Sequence, residues 1–163
     1  MSVKGKERGK PPKRRIVLAT GTFDLLHYGH VYYLTEAKKA GGEDAKLVVV
    51  VARDKTVERL KGSRPIIPEN QRRAVVEALR VVDEALLGYE DMNMEKVIER
   101  VKPDIIAVGH DQKEIEERVR RLIRDKNLKI KVVRVRRFSE ETLNSSTKIK
   151  MKIVEQYGSA GKK

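Results

Sequence analysis

Five short apolar runs punctuate the chain: Ile16–Thr20, Lys46–Ala52 (K-L-V-V-V-V-A), Ala85–Gly88, Asp104–Gly109 (D-I-I-A-V-G) and Lys129–Val135. Their Val, Ile and Leu follow one another instead of alternating with polar residues. That is the mark of strands covered on both faces, as in a parallel sheet. Between the runs, Val75, Ala78, Leu79 and Val82 recur at i, i+3, i+4, i+7 behind a Pro68–Glu69 start signal. Ile115, Val119, Leu122 and Ile123 repeat that helical spacing, with Glu114, Glu116 and Glu117 early and bases from Arg118 to Lys126 late, as the helix dipole favours. His30–Ala40 and Asn144–Gln156 are the other long helical stretches. Strand and helix alternate about five times. The pattern predicts a doubly wound α/β fold around a mostly parallel, five-stranded Rossmann-like sheet.

The ends of the chain carry no such pattern. Residues 1–14 lack apolar periodicity and contain Pro11–Pro12, so they read as a disordered basic arm. One domain is expected over 15–157, and 158–163 read as a flexible tail. A chain of 163 residues suits a single domain with a proper core. No apolar run approaches the roughly 20 residues that cross a bilayer, and no apolar stretch precedes the first strand to act as a signal peptide. Cysteine is absent, which removes disulfides, thiolate nucleophiles and zinc ribbons. The expectation is a soluble, cytoplasmic protein without a membrane partner.

Charge changes the picture only once it is divided. The net charge is +13, but residues 1–15 hold seven bases against one acid, and Arg118–Arg137 hold ten against one. The remainder of the domain is acidic. Three readings fit this division. Charged residues at 37% with only seven Asn and Gln match thermal adaptation. Basic stretches also steer anionic substrates. They are equally the footprint of nucleic-acid binding. Two Phe, five Tyr and no Trp leave little surface for base stacking, so thermal adaptation and substrate steering are favoured over nucleic acid.

In open α/β sheets, ligands sit beyond the carboxyl ends of the strands. All three histidines fall there: His27 and His30 follow the first run, and His110 follows Asp104–Gly109. The first loop reads G-T-F-D-L-L-H-Y-G-H from Gly21 to His30 and leads into a helix. It is neither a Walker A loop nor G-x-G-x-x-G, so P-loop kinases and dinucleotide-binding dehydrogenases lack sequence support. H-x-G-H suits a phosphate. Gly29 permits close backbone approach, the helix start offers unpaired N–H groups, and two imidazoles can donate to non-bridging oxygens.

This stretch resembles the signature of the cytidylyltransferase-like nucleotidyltransferases. Further matches follow in order: A-R-D-K-T-V-E-R-L-K-G-S-R-P-I-I-P-E-N-Q-R-R (52–73), K-P-D-I-I-A-V-G-H-D-Q (102–112) and S-S-T-K-I-K (145–150). Together they cover residues 15–156. Among subfamilies, A-R-D-K-T-V, R-P-I-I-P-E and G-H-D-Q are most similar to the archaeal FAD synthetases, which transfer AMP from ATP to FMN. Glycerol-3-phosphate cytidylyltransferases share G-T-F-D-L-L-H and S-T-K-I-K, and heptose-phosphate adenylyltransferases share R-L-K-G-x-R-P. Those two acceptor classes are the alternatives. The family's usual R-T-x-G-I-S-T-T is stretched here, because F-S-E-E-T-L-N separates Arg137 from Ser145; either Arg136 or Arg137 fills the arginine position.

The resemblance implies roles. Gly21, Thr22 and Phe23 would hold the nucleotide through their backbone, although Phe23 equally suits core packing. His27, Gly29 and His30 would flank its phosphates. Lys61 and Arg64, in a flexible K-G-S-R-P segment, would close on them. Asp111 would accept from a ribose hydroxyl or cap the next helix. Ser145, Ser146 and Thr147, with Lys148, would form an anion site beyond what a cap needs. Arg72 would reach the acceptor phosphate or pair with a neighbouring acid. His27, His30, Lys61 and Arg137 would be catalytic, and Arg64, Arg72 and Arg136 would bind acceptor. No acidic cluster marks a protein-built metal site; magnesium would arrive with ATP, and FMN would be substrate rather than prosthetic group. Homodimerisation is common in the resembling family and is expected here.

Overall fold

A computed structural model of the protein describes residues 13–139 and 143–158. Five strands form one sheet: β1 (Ile16–Gly21), β2 (Lys46–Val51), β3 (Glu84–Leu87), β4 (Ile105–Val108) and β5 (Lys131–Arg134). Their order is β3-β2-β1-β4-β5 and every neighbouring pair is parallel. The helices are α1 (Tyr28–Ala40), α2 (Asp54–Lys61), α3 (Glu69–Glu77), α4 (Met94–Val101), α5 (Lys113–Asp125) and α6 (Ser146–Tyr157). Alternate residues of the apolar strands feed two cores. Val17, Ala19, Val49 and Ala107 pack with Leu34 and Ala37 of α1 and Val76 of α3. Leu18, Val50, Ile106 and Val108 pack with Val97 and Ile98 of α4 and Val119 of α5 on the other face. Double-sided cover is why the strands read as unbroken apolar runs. The expected α/β sheet is the observed one.

Two helices, α2 and α4, stand where the periodicity reading placed none. Another is shorter than expected. α3 ends at Glu77, and Ala78–Val82 turn back on themselves through short-range bonds such as Leu79 N–H to the Val76 carbonyl (3.1 Å). Val76 is the buried helical residue and Val75 faces solvent, while Val82 reaches the core from the turn. Most of the basic arm expected at 1–14 and of the tail at 158–163 lies outside the described residues. Arg14, assigned to that arm, belongs with the fold: its Nε donates to the Asp44 carbonyl (2.7 Å).

The two ends of the sheet are treated differently. At the amino end, Asp104 accepts from Ile16 N–H (2.8 Å) and Asp83 from Leu47 N–H (2.7 Å), each pinning the start of the neighbouring strand. At the carboxyl end, β1 stays paired with β2 through Gly21–Val51 but leaves β4 after Ala19–Ala107. The crevice of a doubly wound sheet opens there. Side chains take over from the ladder. Tyr33 donates to the Ala107 carbonyl (2.9 Å), and Gln112 accepts from Gly109 N–H (2.7 Å) while donating to the Thr20 carbonyl (3.0 Å). Among the described residues, no helix is long and apolar enough to cross a membrane.

Candidate active site

The β1–α1 loop occupies the centre of the carboxyl edge. Phe23 (φ 55°) and Leu25 (φ 46°) both take left-handed backbone conformations that favour glycine, a cost tolerated at functional sites. Phe23 is buried, and its ring lies where a Gly21 side chain would be; a Cβ on Gly21 would sit 2.8 Å from the ring. The ring therefore packs in the core, below the cleft. Asp24 is the knot of the loop. Its carboxylate accepts from Ile66 and Ile67 N–H (both 3.0 Å) and pairs with Lys150 (2.9 Å), and its carbonyl accepts from the Ser146 hydroxyl. Burial alone would raise the Asp24 pKa, but the two backbone donors and Lys150 outweigh it and hold it below the usual value.

His27 caps α1 and His30 sits three residues on, their rings stacked with centroids 3.9 Å apart. Gly29 is required by this packing, since a Cβ there would come within 2.9 Å of the His27 ring. His30 Nδ1 accepts from His27 N–H (3.2 Å), which puts the proton of the neutral ring on Nε2. Burial, reinforced by His27 and Lys61 and opposed by Asp24, pushes His30 down to about 3. Burial lowers His27 as well. Both rings are thus neutral near pH 7, and His30 presents a fixed N–H donor. Thr20 Oγ1 and His27 Nδ1 are buried beside them with no hydrogen-bond partner among the described residues.

Around this centre lies a cleft of about 1100 Å³, beyond the roughly 300–1,000 Å³ of a pocket for one small molecule. Gly21, Thr22, His27, Gly29 and His30 line its middle. Lys61, the last residue of α2, and Arg64, paired with Glu58 (2.9 Å), stand on one rim. The K-G-S-R-P segment is not free between them: Gly62 ends α2 in a left-handed cap, and Asp24 grips residues 66 and 67. Arg136 and Arg137, both exposed, line the other rim with His110 and Asp111. Asp111 does not cap α5, whose N-cap is Gln112.

At α6, Ser145 is the N-cap, accepting from Lys148 N–H (3.2 Å), and Ser146 is committed to Asp24; Thr147 stands exposed on the cleft wall. Arg72 is corrected. It is 1% exposed, and its guanidinium donates to the carbonyls of Ile67 (2.8 Å), Thr22 and Ala52 (2.8 Å) and pairs with Asp54 (2.6 Å). So occupied, it cannot reach an acceptor phosphate; it is the floor beneath the loop. Sequence reasoning passed over Asp24 and Gln112, although both stand inside quoted motifs. The basic stretch is partly spent on the fold too: Arg120 and Arg134 clamp the buried Glu116, and Lys126 pairs with Glu95 (2.6 Å). Among the described residues, no group of three or more His, Cys, Asp or Glu is placed to hold a metal.

The family model described as cytidylyltransferase-like matches residues 18–152, which span this whole arrangement. The chain belongs to the cytidylyltransferase-like family. Curated relatives of the chain include proteins named FAD synthase. The protein of Aciduliprofundum boonei is 51% identical, covering 86% of this chain and 91% of its own. That of Archaeoglobus fulgidus is 48% identical, covering 86% and 98%. A crystal structure described as the lipopolysaccharide core biosynthesis protein from Thermoplasma volcanium superposes with a TM-score of 0.70 at 45% identity, over 78% of this chain and 100% of that one. Pantoate-beta-alanine ligase from Francisella tularensis, at 15% identity and a TM-score of 0.60, over 90% of this chain and 72% of that one, shares the fold alone. The cytidylyltransferase-like chain is accordingly a nucleotidyltransferase enzyme.

Proposed function

We propose that this enzyme is an FAD synthase, moving AMP from ATP to the phosphate of FMN with release of pyrophosphate. The observation that carries this reading is the FAD synthase relatives at about half identity, aligned over 83–86% of this chain. The acceptor phosphate is ionised near neutral pH, so it needs no general base. An oxygen of that phosphate bonds to the α-phosphorus of ATP, and the bond from that phosphorus to the bridging oxygen breaks, its electron pair leaving with pyrophosphate. The barrier lies in bringing anions together and stabilising charge at the transferring phosphorus, which is work for positioning and electrostatics.

In this reading, His30 donates Nε2–H to a non-bridging α-oxygen and His27 stands beside it. Lys61 and either Arg136 or Arg137 face the phosphates from opposite rims. Thr147 and the amino end of α6 meet the pyrophosphate, and Asp111 takes a ribose hydroxyl. Magnesium enters as part of the substrate MgATP. We also infer a homodimer, for which the exposed Met151, Ile153, Val154 and Tyr157 of α6 give an apolar face.

A matrix of MgATP and MgCTP against FMN, glycerol-3-phosphate and sugar phosphates, read by product mass and pyrophosphate release, tests the reading. FAD from ATP and FMN is the expected product. A CDP-alcohol or an ADP-sugar in its place would replace the acceptor assignment. Light scattering that finds a monomer would remove the dimer.

A further inference from the structure

All five strands enter the sheet from the same end, and two of them bring bases with them. Asp104 N–H donates to the Ile16 carbonyl (2.9 Å) and Lys131 N–H to the Asp104 carbonyl (3.0 Å), so β1, β4 and β5 start side by side. The register sets Val17 beside Ile105 and Ile105 beside Lys131, a span of two strand spacings, roughly 10 Å. This gathers Lys13 and Arg15 ahead of β1, Lys102 at the end of α4, and Lys129 and Lys131 at the start of β5. All five are exposed, and none makes an ion pair among the described residues. The acids nearby are committed or lie to one side. Asp104 accepts from Ile16 N–H (2.8 Å) and Asp83 pairs with Lys38 (2.8 Å), while the exposed Glu43 and Asp44 precede β2 and bound the patch there. In sequence, the chain before Lys13 adds Lys4, Lys6, Arg8 and Lys10 against Glu7.

Two ordinary uses of surface charge do not account for this group. Thermal adaptation works through paired charges, as Arg64 is paired with Glu58 and Lys126 with Glu95. Five unpaired like charges repel one another instead. Steering of substrate belongs at the cleft, and none of the five lines it; they stand at the opposite end of the strands. Lys131 also guards the bare edge of β5, but Lys13, Arg15 and Lys102 belong to no edge strand.

We propose that this amino-end face binds the phosphate backbone of duplex DNA. Unpaired bases fit a regular array of phosphates, and release of condensed counterions drives such binding without any contact to the bases of the nucleic acid. A duplex keeps those bases stacked inside. The scarcity of aromatic side chains, which argues against gripping a single strand, is therefore no obstacle. Duplex RNA is held through its 2′-hydroxyls as well as its phosphates, and lysine and arginine offer those hydroxyls no acceptor. An anionic membrane needs an apolar anchor beside the bases. None of the large apolar residues exposed among the described residues belongs to the segments that build this face. The binding does not depend on the acceptor of the transfer reaction.

Fluorescence anisotropy of a short labelled DNA duplex of arbitrary sequence, titrated with the full chain at several salt concentrations, tests this. Log Kd against log salt should rise with a slope of about four to five, for five phosphates neutralised. The triple substitution Lys102→Glu, Lys129→Glu and Lys131→Glu should weaken binding by about ten-fold or more and lower that slope by about three. All three side chains are exposed, and thermal unfolding checks the fold. The milder pair Lys102→Gln and Lys129→Gln should lower the slope by about two. Lys61→Ala with Arg137→Ala, in the cleft, should bind DNA as wild type does, and saturating MgATP should not displace it. No binding by wild type, undiminished binding by the charge-reversed variant, or displacement by MgATP would overturn the proposal. Tighter binding to duplex RNA, to single-stranded DNA or to phosphatidylserine vesicles would overturn it equally, by giving the face a different partner.

Discussion

The β1–α1 loop and the cationic rim line the same cleft and are built in opposite ways. In the loop nearly every group is committed. Gly21 lies under the Phe23 ring, Gly29 lies under the His27 ring, and Asp24 holds partners from two distant segments. On the rim, Lys61, Arg64, Arg136 and Arg137 are exposed, and Arg64 spends its charge on Glu58. The loop can therefore place a donor to a fraction of an ångström before any substrate arrives. Long exposed cations raise the local concentration of anions but keep their own freedom until ligand is bound. For the proposed reaction this implies a division of labour: the centre would act on the transition state, and the rim on encounter and affinity.

The comparison breaks most severely when the floor is removed. Arg72→Ala leaves three carbonyls and Asp54 without their donor, and should destabilise the fold by about 3–5 kcal/mol, measured by urea unfolding. Next in size is the centre itself. His30→Ala or His27→Ala should raise the chemical barrier by about 2.7–4 kcal/mol, seen as a fall in kcat, with the dissociation constant for ATP much less affected. Normal turnover in both variants would remove the transition-state role. His110, which stands outside the loop, should matter less than either.

Acidity sharpens the contrast further. His30 titrates at about 3 in the fold against 6.5 when exposed, so the unfolded chain binds a proton that the native chain refuses between those values. The stability that neutral His30 contributes is full above pH 6.5 and shrinks as pH falls from there toward 3. Unfolding free energies at pH 7 and pH 5 should therefore differ less in His30→Gln than in wild type; an equal loss in both would contradict the buried, neutral assignment. The smallest effect belongs to the rim. Lys61→Ala should raise the KM for ATP only a few-fold, and the difference from wild type should shrink at high salt, where exposed charges are screened.

Much of this was legible in the chain because it is local. Strands buried on both faces read as Val and Ile runs, and the loop, its two histidines and its glycine read as a phosphate site. α4 was legible in principle, since Met94, Val97, Ile98 and Val101 carry the helical spacing behind an Asn93 cap. α2 was not, because it buries only Thr56 and Val57. What stayed hidden depends on distance along the chain. Asp24 matters through residues 66, 67, 146 and 150, and Gln112 through Thr20, none of them neighbours in sequence. The two readings of Arg72 could be separated only by burial. An arginine in a tract of charged residues has nothing to say which way it faces until the carbonyls of Thr22, Ala52 and Ile67 are found around it.

The parting of β1 from β4 has a kinetic consequence. Because Tyr33 and Gln112 already satisfy the groups that the ladder gives up, the crevice stands ajar at rest and a nucleotide entering it breaks no strand pairing. Entry should then be limited by diffusion and by the ordering of the rim, with no slow step contributed by the sheet. The Gly109 amide, donated to Gln112 outside any strand, reports on this directly. Its hydrogen exchange should be slow and nearly the same with and without ATP, whereas a crevice that had to be pried open would protect it at rest and lose that protection once the nucleotide is bound.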